Sequence, residues 1–347
     1  MSEPTGIDVA GVTAWFGEHV PGAVAPLQFD LVAGGRSNLT YGVTDANGAK
    51  WVLRRPPVSH VLATAHDMSR EHRLIAALGP TPVPVPDAIG LCQDESVNGA
   101  PFYVMNFVEG TVVRDAATAE KVFTREQRTR TGESIVDTLA AIHAVDLDAV
   151  GLADLARHDG YIERQLKRWY SQFQASTAET GRQVPAVDEM HEFLSARIPE
   201  QGPATIVHGD YRLDNCMIGA DGDVAAVLDW EICTLGDPLA DMGLLMVYWT
   251  EAGDMGGGAL GISATATDGF PTRKELRSRY AEKSGRDADS LDFYVAFGYW
   301  KLACILEGVY TRYAAGAGGG DTSGGFEGFG TQVGNLAEQA RAAAASL

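Results

Sequence analysis

The chain has 347 residues, with 46 acidic against 27 basic side chains and a formal net charge of −19. That excess argues against a nucleic-acid partner, because such binding relies on Lys and Arg neutralising phosphates; it does not by itself imply a cationic substrate, since acidity also keeps proteins dispersed. Hydrophobic residues make up 45% of the chain, enough for two lobes around a packed core, and no run approaches the roughly 18 apolar residues that cross a bilayer, so no membrane insertion is expected.

The N-terminus MSEPTGIDVAGVTAW has neither a basic start nor a long apolar run, which argues against a signal peptide and for a cytoplasmic protein. Cys92, Cys216, Cys233 and Cys304 form no CxxC pair and read as reduced, mostly buried thiols. Cys216 directly follows Asn215, so an alkylating reagent there would block whatever Asn215 does.

In chain order, residues 27–33, 40–44 and 50–55 read as strands. Asp45-Ala46-Asn47-Gly48 supplies turn chemistry that makes the last two a hairpin. Residues 64–78 have helical spacing, ended by Gly79-Pro80 and by prolines 82, 84 and 86. Two further strands are expected near 87–92 and 101–108, with Asn98-Gly99 in the turn between them. After Glu109-Gly110 the pattern changes to helices at 125–144, 160–176 and 187–197. Short strands at 204–207, 216–218 and 224–228 follow, then helices near 238–249, 272–284, 289–313 and 334–345. Residues 316–330 are Gly-rich and read as a mobile loop. No internal repeat is evident. The fold class is α+β: an antiparallel-sheet lobe with one main helix over residues 1–107, and a mostly helical lobe over 108–347.

One run concentrates the chemistry: His208-Gly209-Asp210-Tyr211-Arg212-Leu213-Asp214-Asn215, followed by Leu228-Asp229-Trp230-Glu231. Phosphoryl transfer needs one carboxylate to take a hydroxyl proton, and an amide plus a second carboxylate to hold Mg²⁺ on the phosphates. An isolated Asp is usually a solvated loop residue and an isolated Asn usually a turn residue. The spacing of Asp210, Asn215 and Asp229 weakens that bland reading. By contrast Gly256-Gly257-Gly258-Ala259-Leu260-Gly261 fits GxGxxG but follows no strand, so it does not mark a dinucleotide site.

The segment resembles the signature of the aminoglycoside phosphotransferase-like (choline-kinase-like) superfamily, whose members share the protein-kinase fold. The resemblance implies Asp210 as catalytic base, Asn215 and Asp229 as Mg²⁺ ligands, and Glu231 as a further metal contact of lower rank. Arg212 would meet the transferred phosphate, or else pair with Asp214. His208, Asp237 and Asp241 would brace the loop. In the first lobe, Val52-Leu53-Arg54 resembles the strand whose Lys grips the nucleotide phosphates. Here Arg54 replaces that Lys, with Glu71 as its ion-pair partner and Val52 covering the base. Arg keeps the charge but changes the geometry. Ser37, in the loop Gly34 to Thr40, would hold phosphate oxygens, and the backbone of Asn106 and Val108 would bind the base of ATP or GTP. The pattern Val52 to Pro56 resembles one subgroup, the kinase-like domain fused to mammalian acyl-CoA dehydrogenases.

The acceptor would then be a small-molecule hydroxyl, by that subgroup resemblance a hydroxyacyl-CoA or similar metabolite. Arg164 and Arg168, one helical turn apart on a segment that also holds Tyr161, Gln165 and Trp169, form either an anion-reading patch or a solvated face. An aminoglycoside kinase would want clustered acids, whereas those at 251, 254, 268 and 321 are scattered. A nucleotide-binding pseudokinase scaffold stays open because of Arg54. A protein kinase is disfavoured by the missing Ala-Pro-Glu segment, and nothing supports a flavin site. Oligomeric state stays open.

Overall fold

A computed structural model describes residues 4–33, 38–58, 67–254, 263–316 and 327–347. Strands β1 (Gln28–Ala33), β2 (Leu39–Thr44), β3 (Lys50–Arg55), β4 (Ala88–Cys92) and β5 (Phe102–Asn106) form one antiparallel sheet in the order β1-β2-β3-β5-β4. Side chains alternate between the faces of a strand, and that alternation sorts the sheet. Trp51, Leu53, Phe102 and Val104 share one face, where they pack with Val12, Trp15 and Phe16 of helix α1 (Val9–His19). Val52 and Tyr103 take the other face, with Met105, Leu74, Ile75 and Leu78; the last three belong to helix α2 (Met68–Leu78). By the same alternation Arg54 lies on the α2 side.

Helix α1 is absent from the expected elements. Its sequence VAGVTAWFGEH carries two glycines and β-branched residues, all weak helix formers. The available signal was Asp8, whose side chain caps the helix by accepting from the Gly11 amide. The turn expected at Asn98-Gly99 is a short helix α3 (Glu95–Asn98), closed by Gly99 in the left-handed region at φ +69°. Strand β5 stops at Asn106, two residues before the expected end.

The rest is mainly helical: α4 (Ala116–Val122), α5 (Arg125–His143), α6 (Tyr161–Thr180), α7 (Pro185–Ser195), α8 (Leu239–Tyr248), α9 (Arg273–Ser284), α10 (Leu291–Ala314) and α11 (Glu327–Ala343). Two small antiparallel ladders are set among them. Strand β6 (Thr205–Val207) pairs with β9 (Thr234–Gly236), and β7 (Cys216–Ile218) pairs with β8 (Val224–Val227). Strand β9 was not expected; one of its three residues is Gly236, and glycine weakens a strand pattern. Helix α11 begins inside the expected glycine-rich loop: residues 327–330 are helical. Residues 317–326 and the GxGxxG match at 256–261 lie outside the described residues, as does the expected start of α2 at 64–66.

Helix α10 is buried along most of its length and packs against α6, α8 and α11. Its crossing with α8 needs Gly243. A Cβ there would sit 2.6 Å from backbone atoms of Tyr294, closer than any side chain tolerates. Among the described residues no helix is long and apolar enough to cross a membrane.

Candidate active site

Strand β6 delivers His208, Gly209 and Asp210 to its C-terminal end. The partner strand β9 leads through Asp237-Pro238 into α8, so Asp241 in the first turn of that helix lies behind the loop. Asp241 accepts from the His208 amide at 2.6 Å and from the Gly209 amide at 2.8 Å. Burial pushes the Asp241 carboxyl up, but His143 and the Gly209 amide outweigh it and hold the group below the usual carboxylate range. The His208 imidazole bridges the loop to the next hairpin. Its Nε2 bonds Leu228 O at 2.9 Å, and its Nδ1 accepts from the Asp210 amide at 3.3 Å. That pattern requires the neutral tautomer protonated on Nε2, a loop-fixing role. Asp237 differs from the expectation. It accepts from the Leu239 amide and from Tyr294 Oη at 2.6 Å, so it ties α8 to α10 and does not touch the loop.

The β7–β8 hairpin explains the spacing of the next two residues. Its ladder pairs Cys216 with Val227. Beyond that pair the Leu228 amide donates to Asn215 O at 2.8 Å. Asn215 therefore lies opposite Leu228, and Asp229 follows next at the open end of the hairpin, although thirteen residues of chain separate it from Asn215. The Asn215 side-chain amide donates to Asp210 O at 2.8 Å and to Asp210 Oδ2 at 3.0 Å. This leaves its carbonyl oxygen as a hard ligand. Asp229 has φ +63° and, among the described residues, is the one non-glycine in the left-handed region. Such a conformation costs about 1–2 kcal/mol and persists where the surroundings impose it. One carboxylate and one amide oxygen suit Mg²⁺, which keeps its other positions for water and phosphate oxygens.

Strand β3 brings Arg54 to the same place. Its Nη2 donates to Asp229 Oδ1 at 3.0 Å, and its Nε lies 3.6 Å from Glu71 Oε2 on α2. Both Arg54 and Glu71 are buried. Glu71 also accepts from Tyr103 Oη at 2.9 Å and from the Asn38 side-chain amide Nδ2 at 2.8 Å. Burial raises the Glu71 pKa, while Arg54 and Tyr103 pull it back. The Asn38 amide reaches Glu231 as well, at 3.3 Å, so the expected lesser metal contact is linked to the sheet. Asn38 was missed in the sequence, where the same loop was read for Ser37; Ser37 lies outside the described residues. Arg55 turns to the opposite side of the strand, where it bonds carbonyls of Gly6, Pro56 and Asn98.

Val52 is half-buried against the main core, opposite Met105. The Asn106 backbone amide donates to Asp87 O at 3.0 Å and its side-chain oxygen accepts from the Asp87 amide at 2.6 Å, so its N–H is already engaged. Val108 is half-buried in the segment after β5. Arg212 takes the second of its expected settings. It lies 3.3 Å from Asp214 and 3.7 Å from Asp210, with its guanidinium 4.8 Å over the Tyr248 ring. Arg164 donates to the Arg157 carbonyl and Arg168 lies over Trp169, so the structure does not aim the two as one patch. Cys216 is fully buried and burial pushes its thiol up to about 12. An alkylating reagent would not reach it, contrary to the expectation. All four cysteines are free and buried.

Residues 29–291 match the phosphotransferase enzyme family. The chain belongs to that family. Mouse acyl-CoA dehydrogenase family member 10 is 37% identical over 304 residues, which is 86% of this chain and 28% of that protein. The chain thus spans less than a third of that relative's length. A Ralstonia eutropha protein, solved as a candidate aminoglycoside phosphotransferase, is 33% identical with a TM-score of 0.82 over 97% of this chain and 98% of that one. An ADP-bound aminoglycoside phosphotransferase, APH(2'')-Ib, is 13% identical with a TM-score of 0.60 over 96% and 98% of the two chains, a likeness of fold alone. The fold is the protein-kinase-like one that the catalytic segment implied.

Proposed function

We propose that the protein transfers the terminal phosphoryl group of ATP or GTP to a hydroxyl of a small metabolite, with Mg²⁺ as cofactor. The observation that carries this reading is the convergence of Arg54, Asp210, Asn215 and Asp229 from three separate segments of chain. Asp210 orients the acceptor hydroxyl and takes its proton as the oxygen attacks the phosphorus and the bond to the β-phosphate breaks. A base of this kind contributes ~10²–10⁴ in rate. Mg²⁺, held by Asn215 and Asp229, would offset the charge of the phosphates. Arg54, fixed by Glu71, grips the nucleotide phosphates, with Ser37 adding a hydroxyl. Arg212 is within reach of the transferred group once it releases Asp214. Val52 and the backbone of Asn106 and Val108 hold the base. In this reading residues 1–107 bind nucleotide, and residues 108–347 hold the metal and the acceptor.

The acceptor we favour is a hydroxyacyl-CoA, on the likeness to the acyl-CoA dehydrogenase family member. An aminoglycoside is the second reading, from the solved relatives. A polycation needs unpaired acids, and here Glu251 and Asp254 pair with Arg273, while Asp268 pairs with Arg125. That disfavours the antibiotic reading. The test is thermal stability with ATP or GTP, with and without Mg²⁺, in wild type and Asp229→Ala, followed by a screen of hydroxyacyl-CoAs, aminoglycosides and sugars for phosphorylation. A Mg²⁺-dependent upward shift that Asp229→Ala loses, with a phosphorylated acceptor, supports the reading. Binding without turnover on any acceptor favours the scaffold reading.

A further inference from the structure

Lys301 of α10 is buried, yet its Nζ donates to the Gly209 carbonyl at 3.0 Å. That carbonyl belongs to the peptide plane joining Gly209 to Asp210. Its direction fixes ψ of Gly209 and φ of Asp210 together, and so the direction in which the Asp210 side chain leaves the backbone. Gly209 itself sits at φ +87°, where a glycine has many alternatives. Within the loop the same peptide plane is held by one long bond, from the Asp210 amide to His208 Nδ1 at 3.3 Å, and two contacts from outside the loop add to it. Asp241 of α8 supplies one by holding the Gly209 amide, and Lys301 of α10 supplies the opposite one.

We propose that Lys301 is a positioning residue that pins the Gly209–Asp210 peptide and thereby aims the Asp210 carboxylate. Helix α10 comes close enough because Gly243 admits it against α8, and because Gly298, one turn before Lys301, rests on Val247 and Leu244. Burial lowers the Lys301 pKa from the ordinary lysine value; Asp210 and Asp241 oppose that shift and Arg168 adds to it. The Trp169 ring lies 5.8 Å from Nζ and closes the far side. An ammonium ion is a costly residue to bury unless the charges around it compensate. A hydrophobic residue would fill the same space against Trp169 more cheaply, so packing does not account for Lys301.

The proposal rests on the kinase reading, and its test separates the two. Lys301→Met removes the donor and the charge at nearly constant volume; Lys301→Gln removes the charge but keeps an N–H for the carbonyl. Two measurements are made on the full chain. Amide hydrogen exchange across residues 208–214 requires no acceptor. Exchange should quicken in Lys301→Met and stay nearer wild type in Lys301→Gln. Steady-state kinetics on the acceptor found by screening should show kcat down by ~10²-fold in Lys301→Met, partly restored in Lys301→Gln, with KM for nucleotide unchanged. Wild-type exchange and kcat in Lys301→Met would overturn the proposal. So would Lys301→Gln behaving as Lys301→Met, which would assign the effect to charge, or equal losses of kcat and nucleotide binding, which would assign it to folding. A wild type that turns over no acceptor defeats the kinase reading, while exchange still decides the role of Lys301.

Discussion

Arg54 and Asp229, 175 residues apart in the chain, meet at 3.0 Å and join the N-terminal sheet to the end of the β7–β8 hairpin. The same guanidinium faces Glu71 at 3.6 Å. One cation therefore serves two carboxylates, one buried and one open to the site. This shared role distinguishes Arg from Lys here, since a planar fork can address two acids at once and an ammonium on its stem favours one.

Arg54→Met should destabilise the protein by about 3 kcal/mol, because Glu71 stays buried without its cation. Urea denaturation measures this. Arg54→Lys should retain most of that stability by keeping the pair with Glu71, while its Mg²⁺-nucleotide thermal shift falls between those of wild type and Arg54→Met. Equal shifts in wild type and Arg54→Met would remove Arg54 from the nucleotide site.

Asp210→Asn should lower phosphoryl transfer by ~10²–10⁴ while the nucleotide-induced thermal shift persists. The neutral amide can still accept from Asn215 but no longer takes a proton. Single-turnover assays with labelled nucleotide would read the rate. Transfer within a few-fold of wild type would exclude Asp210 as the base.

At Asp229 the left-handed backbone gives a second, independent comparison. Asp229→Gly and Asp229→Ala both lose the carboxylate, so both should lose the Mg²⁺-dependent thermal shift. Without nucleotide, Asp229→Gly should be more stable than Asp229→Ala by about 1 kcal/mol, since only Ala keeps a Cβ at φ +63°. Equal stabilities would mean that the loop relaxes when the carboxylate is removed.

Much of this was legible beforehand, and the parts that were not have physical causes. The run could be singled out because Asp210, Asn215 and Asp229 fall in one short stretch, and the β7–β8 hairpin that gathers them is local. Arg54 and Glu71 were named on the family resemblance, with strand alternation placing Arg54 on the face of Val52, and the structure brings the two to 3.6 Å. Asn38 and Lys301 were not, because each acts through a tertiary contact with nothing local to mark it. Lys301 sits in a helix whose neighbours are apolar, where one lysine reads as a break in a hydrophobic pattern. Arg212 was ambiguous because it neighbours both a base and an ordinary acid, and sequence does not rank a phosphate above Asp214.

Gly243→Ala tests the α8–α10 crossing. The new methyl group would meet the Tyr294 backbone at 2.6 Å, which no side-chain rotation relieves. Overpacking of this kind costs about 1–3 kcal/mol. Because Asp241 lies on α8 and Lys301 on α10, spreading the helices also draws apart the two restraints on Gly209. The expected result is a lower denaturation midpoint with kcat reduced more than nucleotide affinity. Unchanged midpoint and kcat would show that the crossing has slack.

The buried His143 should set part of the acid sensitivity. Its Nδ1 bonds Tyr280 Oη at 2.7 Å and its Nε2 lies 3.5 Å from Asp241. Burial lowers its pKa from the ordinary 6.5, although Asp241 opposes the shift. The unfolded chain therefore binds a proton more readily than the native one as pH falls below that value. The sign follows: the stabilisation is complete above about pH 6.5 and is lost as pH falls through the depressed native pKa. His72 and His191 are shifted in the same direction by burial, so other histidines contribute to the slope. His143→Gln should be less stable at pH 7.5, having lost a bond to Tyr280 or Asp241, but should lose less stability than wild type between pH 7 and pH 5. Denaturant midpoints across that interval measure the difference, and parallel pH profiles for the two proteins would show that His143 keeps an ordinary pKa in the fold.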